Sequence, residues 1–250
     1  ESLLPRVRTC PAPDHYELVM SANSLACMGA DVTVRACADS LSPCNNIDYT
    51  VNGNVNLATS AGILSNTTLS LASGSGTTKL LHPTVADNTN VTVTLSGEVT
   101  AATNARKCCL GASCSVANFC TTNFKQAGFV FSNTSSGATS SIPTQVAGTA
   151  STPYLRALQT NTTTGACTAR FTSPQAVKMA YKCVNPATCI SGQTFTVDST
   201  NIQSNANAAS PIYSDVNLAF NSDGSAPIPI TYSDVGQIEL LASLFLPAAN

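Results

Sequence analysis

Cysteine sets the first constraint on this chain. Eleven cysteines, at positions 10, 27, 37, 44, 108, 109, 114, 120, 167, 183 and 189, lie in 250 residues that contain no tryptophan and only two histidines. Several sit close enough for short local bridges, and the density predicts an oxidising compartment and a disulfide-stapled fold. All are disulfide candidates: Cys10, Cys27, Cys37, Cys44, Cys108, Cys109, Cys114, Cys120, Cys167, Cys183 and Cys189. Cys37 with Cys44, and Cys183 with Cys189, are expected to close small loops that staple strand ends. The count is odd, so at least one thiol is free, pairs with another chain, or pairs with a segment beyond this sequence. Cys10 precedes the first predicted strand and is the candidate for an intersubunit bridge.

The chain has no convincing helical periodicity. Val32–Ala36, Val51–Leu57, Thr67–Leu71 and Val91–Leu95 place apolar groups at every second position, the pattern of a half-buried strand. The same pattern covers Gly128–Phe131, Tyr154–Leu158, Cys167–Phe171, Val177–Tyr181, Thr194–Val197, Val216–Phe220, Ile228–Tyr232 and Gln237–Leu246. Serine, asparagine, glycine and proline clusters separate these runs at turn spacing. Asn221-Ser222-Asp223-Gly224 reads as a hairpin turn, since aspartate and glycine tolerate positive φ. Tyr213-Ser214-Asp215-Val216 returns as Tyr232-Ser233-Asp234-Val235, which chance explains as readily as a repeat unit. The expected fold is all-β, two tandem immunoglobulin-like β-sandwich domains stapled by disulfides. The cysteine cluster at 108–114 marks the expected junction, with an N-terminal domain over 1–115 and a C-terminal domain over 116–250.

Charge narrows the function classes. Charged residues make up 10 % of the chain, against about a quarter in an average protein, so Ser, Thr, Asn and Gln must supply the polar surface. That disfavours a cytosolic enzyme. A net charge of −2, with eleven Lys and Arg scattered singly, offers no stripe for a phosphate backbone, so nucleic acid is not an expected partner. No apolar run reaches the roughly 18 residues of a membrane helix, so no span is expected. Glu1 opens the chain without an initiator methionine, as expected at a processing point or a boundary, with an export signal already removed.

A set of short motifs carries a family resemblance. His15-Tyr16-Glu17-Leu18, then Cys27, then Val32 to Asp39 with Cys37 and Cys44, is similar to the opening of the C-terminal region of MshQ-like proteins. The resemblance continues through Ala127–Phe131, Ile142–Gly148, Leu155–Asn161, Thr164–Cys167, Cys183–Pro186 with Cys189, and Tyr232–Leu240, and so spans most of the chain. MshQ-like proteins are encoded with the MSHA type IV pilus machinery of Gram-negative bacteria. The upstream concanavalin-like domain that members often carry, and their further downstream sequence, lie outside these residues, as expected of a segment of a longer polypeptide. The resemblance implies an exported, cell-surface or pilus-associated protein, adhesive or structural, and supplies no catalytic residues. Expected partners are other pilus or surface-filament subunits, the chain itself, and a host or surface ligand. No cofactor is expected.

Catalytic and metal chemistry find little support in the residues. Serine hydrolysis needs a base beside its nucleophile; His15 and His82 are the available imidazoles, no G-x-S-x-G occurs, and both read as exposed or sheet-edge residues. Cys108, Cys109, Cys114 and Cys120 could form a thiolate zinc cluster, but an oxidising compartment favours disulfides. Asp215, Asp223 and Asp234 lie near loop ends and are minor calcium candidates, with turn capping the simpler role. A glycosidase pair lacks an aromatic-rich cleft, since Tyr16, Tyr49, Tyr154, Tyr181, Tyr213 and Tyr232 are the only tyrosines and most fall at core positions. The sequons at Asn66, Asn90, Asn133 and Asn161 arise readily by chance in such a chain. Two alternatives to an adhesive component remain: a repeating subunit of a self-assembling surface filament, and a secreted carbohydrate-binding or hydrolytic protein. The apolar run Gly236–Pro247, read first as a core strand, or the segment Glu1–Pro13, could add to a neighbour's sheet edge.

Overall fold

The structure is a computed structural model and describes residues 12–136, 142–205 and 211–244. Cys10, with the rest of 1–11, and the last residues of the C-terminal apolar run lie outside the described residues. Two compact units form: Glu1–Gln126 with Thr160–Ala166, and Ala127–Gln159 with Cys167–Asn250. Every regular element among the described residues is a strand, and no helix is long and apolar enough to cross a membrane.

The first unit contains β1 (His15–Met20), β2 (Asn23–Leu25), β3 (Ala30–Cys37), β4 (Gly53–Thr59), β5 (Ile63–Leu64) and β6 (Thr68–Leu71). It continues with β7 (Ser75–Leu81), β8 (Thr89–Ser96), β9 (Lys107–Leu110), β10 (Ser113–Val116) and β11 (Phe119–Lys125). Six strands form one sheet in the order β10-β9-β1-β3-β7-β5, and five form a second in the order β2-β11-β8-β4-β6. Alternation explains the packing. Val91, Val93 and Leu95 of β8 and Val32 and Val34 of β3 are fully buried, with Tyr16, Leu18 and Phe124 in the same core. The intervening threonines face outward and pair across strands, Thr33 Oγ1 with Thr77 Oγ1 at 2.9 Å and Thr92 Oγ1 with Thr121 Oγ1 at 2.8 Å. Hydroxyl pairs of this kind stabilise sheets without charge, which is how so neutral a chain builds its outer faces.

Cys108 of β9 and Cys120 of β11 form a disulfide between the two sheets, both buried in the core. Because β11 is hydrogen-bonded to β8 and β2, the boundary between units falls after Gln126 and not near residue 115. The cysteine cluster is not a junction; it is a hairpin, with Cys109 directly opposite Cys114 in the β9–β10 register and bonded to it.

The second unit contains β12 (Ala127–Ser132), β13 (Tyr154–Thr160), β14 (Cys167–Ala169), β15 (Pro174–Asn185) and β16 (Phe195–Val197). After these come β17 (Thr200–Asn201), β18 (Ser214–Ala219), β19 (Ser225–Pro227), β20 (Ile230–Tyr232) and β21 (Gln237–Ser243). One sheet runs β12-β13-β14 with β19 also on β13; two others run β18-β15-β21 and β17-β16-β20. Val177, Met179 and Tyr181 of β15 pack with Phe195, Val197, Leu218 and Ile228 in its core. The Asn221–Gly224 turn forms, with Gly224 at φ 78° and its N–H on the Asn221 carbonyl. It is not a hairpin turn, however, because β18 pairs with β15 whereas β19 pairs with β13. The turn carries the chain from one sheet to another. The two Tyr-Ser-Asp-Val copies also differ: Ser214–Val216 lie in β18, whereas Tyr232 ends β20 and Ser233–Val235 lie beyond it.

Candidate functional site

His15 is one of the two imidazoles in the sequence. The structure buries it completely, together with Glu17, contrary to an exposed or edge position. β1 is an interior strand, with β3 antiparallel on one side and β9 parallel on the other. Tyr16 and Leu18 face the core, so His15 and Glu17 share the opposite face. The loop closed by Cys37–Cys44 covers that face: Ser42 Oγ donates to Glu17 Oε1, the Cys44 N–H donates to Glu17 Oε2 at 2.9 Å, and Lys107 Nζ donates to the Ser40 carbonyl at 3.0 Å. His15 Nδ1 lies 2.8 Å from Asp14 Oδ1 and Nε2 lies 3.4 Å from Glu17 Oε1. The hydrogen bond with His15, helped by one from Asn104, holds the Asp14 carboxyl below its ordinary range.

This cluster contains a serine, a histidine and two acids, yet it is not a catalytic triad. The Ser42 hydroxyl is committed to Glu17 rather than to the imidazole, and nucleophile-to-base contact is what activation requires. His82 is half-buried and packs edge-on against Phe124, ring centroids 6.0 Å apart. His15, Glu17 and Cys37, and Glu17, Cys109 and Cys114, bring ligand-type atoms within 4.8 Å of one another. Their sulfurs are held in Cys37–Cys44 and Cys109–Cys114 and are not thiolate ligands. Cys108 and Cys120, the other members of the expected zinc cluster, are likewise bonded to each other. Cys183–Cys189 forms as its spacing suggests, and Cys27 and Cys167 are also disulfide-bonded.

The calcium candidates do not converge. Asp215 pairs with Lys178 at 3.1 Å on the surface. Asp223 caps its turn by accepting the Ser225 hydroxyl and N–H, which hold its carboxyl below the usual range. Asp234 accepts from the Gln193 amide and the Val235 N–H, with the same effect.

Asp234 does belong to a feature that the sequence left undetected, a cleft of about 850 Å³ confined to the second unit. Its lining comes from four strands and two irregular segments: Phe131 of β12, Phe195 of β16, Ile230 and Tyr232 of β20, Ile238 and Leu240 of β21, with residues from 142–151 and 234–236. Phe195 is fully buried, with Tyr181 and Tyr232 packed around it at ring-centroid distances of 5.3 and 6.3 Å. Val146 and Val235 on its lining are 72 % and 73 % exposed. The lining is mainly apolar with a few polar groups, and its volume falls in the range of binding clefts. The sequence signal was present but scattered, since these residues come from segments about a hundred positions apart along the chain.

Residues 105–247 match the family described as a domain of unknown function (DUF6701), first Ig-like domain. The chain belongs to that family. Residues 14–103 match a second family, also described as a domain of unknown function (DUF8613). The DUF6701 match therefore takes in β9 to β11 and the Cys108–Cys120 disulfide as well as the second unit. No curated protein matches the chain. Among solved structures, the D0-D1 domain of intimin aligns over 93 % of this chain and 91 % of that chain, at 13 % identity and a TM-score of 0.27.

Proposed function

We propose that this DUF6701 chain is a non-enzymatic structural or adhesive component of a Gram-negative cell surface, associated with an MSHA-type pilus. The observation that carries the reading is oxidation: every cysteine among the described residues is disulfide-bonded, which suits a protein working outside the cytoplasm. The resemblance of its motifs to MshQ-like proteins supplies the pilus. Neutral hydroxyl and amide groups on the outer sheet faces suit an exposed structure that must resist proteolysis and make many uncharged hydrogen bonds. Cell-impermeant biotinylation of the native bacterium, followed by attachment assays on a deletion strain, tests this. Surface labelling and a loss of attachment restored by the intact gene are expected. Labelling only after lysis, or unchanged attachment, would overturn the reading.

A further inference from the structure

The second unit carries several sheet edges among its described residues. Within that unit and among the described residues, β12 pairs only with β13 and β21 only with β15, so each is an edge strand. β20 is also at the end of its sheet, and an irregular segment already extends it: Ser151 and Ile230 exchange both backbone hydrogen bonds, at 3.0 and 2.8 Å, and the Gly148 N–H donates to the Tyr232 carbonyl at 2.7 Å. All three edge strands contribute to the wall of one cleft. An added segment thus already borders the cleft at β20, whereas the edges of β12 and β21 carry none among the described residues.

The side chains agree. Ile238 and Leu240, two positions apart and so on one face of β21, line the cleft and are only partly buried. Unpaired sheet edges with apolar faces are aggregation hazards that proteins cover or charge; the single charge within β21, Glu239, is committed to Lys182 at 2.6 Å. Ser151 is among the lining residues, and its hydroxyl is buried without a hydrogen-bond partner. Asp234 is the only charged side chain among the described lining residues, so an acidic occupant is disfavoured and a neutral or basic one favoured. A sugar fits less well, because its usual platform is an open ring face and here Tyr232 packs edge-on against Tyr181 and Phe195, which are tilted against each other.

We propose that the cleft accepts an extended strand of a partner polypeptide, apolar at alternating positions and free of acidic side chains, which adds to the open edge of β21. Main-chain hydrogen bonds would give affinity and the cleft would select alternate side chains. The seven residues of β21 set an occupant about 20 Å long. This occupant follows from the cleft alone, whichever surface displays the protein.

The test uses the full chain and a fluorescent, lysine-flanked peptide of alternating valine and threonine, seven residues between its flanks. Saturable binding is expected, with new hydrogen-exchange protection over 237–243. Placing a proline at the peptide's centre should weaken binding about tenfold, as for a lost ladder hydrogen bond, and glutamate flanks should weaken it as well. Because Val146 and Val235 are exposed, the V146S/V235S double variant should fold normally and bind several-fold more weakly. Absence of binding, equal binding of the proline peptide, protection elsewhere than 237–243, or saturable binding of a neutral oligosaccharide in place of the peptide would each overturn the proposal.

Discussion

Glu17 shows most directly how a single residue can organise this fold. A buried carboxylate that accepts the Ser42 hydroxyl and the Cys44 N–H ties a loop to an interior strand, and its removal leaves the buried Cys44 N–H without its acceptor. Glu17→Ala is expected to cost about 3 kcal/mol, measured as a lower urea midpoint at unchanged slope, with Glu17→Gln costing less. Tyr16 makes a different prediction. Burial, with smaller contributions from the Glu98 and Asp48 carboxylates, pushes its phenol up to about 12, and its hydroxyl donates to the Thr100 carbonyl at 2.9 Å. The protonated form is the one the fold prefers. Its stabilising effect is whole below the ordinary tyrosine pKa of about 10 and is lost as pH rises from there through about 12. Thermal stability should therefore fall across that window, and Tyr16→Phe should flatten the decline. The role of Glu17 was not legible beforehand: His15 and Glu17 alternate with Tyr16 and Leu18, and only the disulfide-closed loop turns their face into an interior.

At the level of elements, the four disulfides whose partners are named above fall into two kinds. Cys37–Cys44, Cys109–Cys114 and Cys183–Cys189 span 7, 5 and 6 positions and close turns, and the first and last of these were readable from spacing. Cys108–Cys120 spans 12 positions and joins two sheets, which spacing could not reveal because β9 to β11 lack clear alternation and look like a boundary. The entropy of loop closure predicts about 3 kcal/mol for this link and about 2 kcal/mol for Cys183–Cys189. Equilibrium unfolding of C108A/C120A and C183A/C189A should give that order, with the gap widened by the cavity left in the first core. An equal or inverted order would show that the inter-sheet bond is not the principal staple. Alternating strands were legible wherever valine, leucine and threonine alternate, as in β3 and β8; the two-residue strands β5 and β17 have no pattern long enough to detect.

The whole molecule is not two consecutive segments. Thr160–Ala166 belongs to the first unit although it follows thirty-odd residues of the second. Thr160 Oγ1 accepts the Cys27 N–H at 3.0 Å, and the Thr160 N–H donates to the Gln126 carbonyl at 2.7 Å. A fragment ending at residue 126 loses those contacts. It should melt several degrees below the first unit in the intact chain, since each kcal/mol lowers the midpoint of a domain this size by about 4–8 °C; calorimetry of both would show it, and identical midpoints would mean that the segment contributes nothing. The amino-acid sequence by itself determined the all-β class, the disulfide-stapled character, most strands and two of the short disulfides, because each depends on local periodicity, composition or spacing. Only the tertiary structure decided that His15 is interior, that the cysteine cluster joins sheets and that an open cleft exists. Those features depend on which strands become neighbours, and neighbours in a sandwich are chosen by the burial of faces drawn from distant parts of the chain.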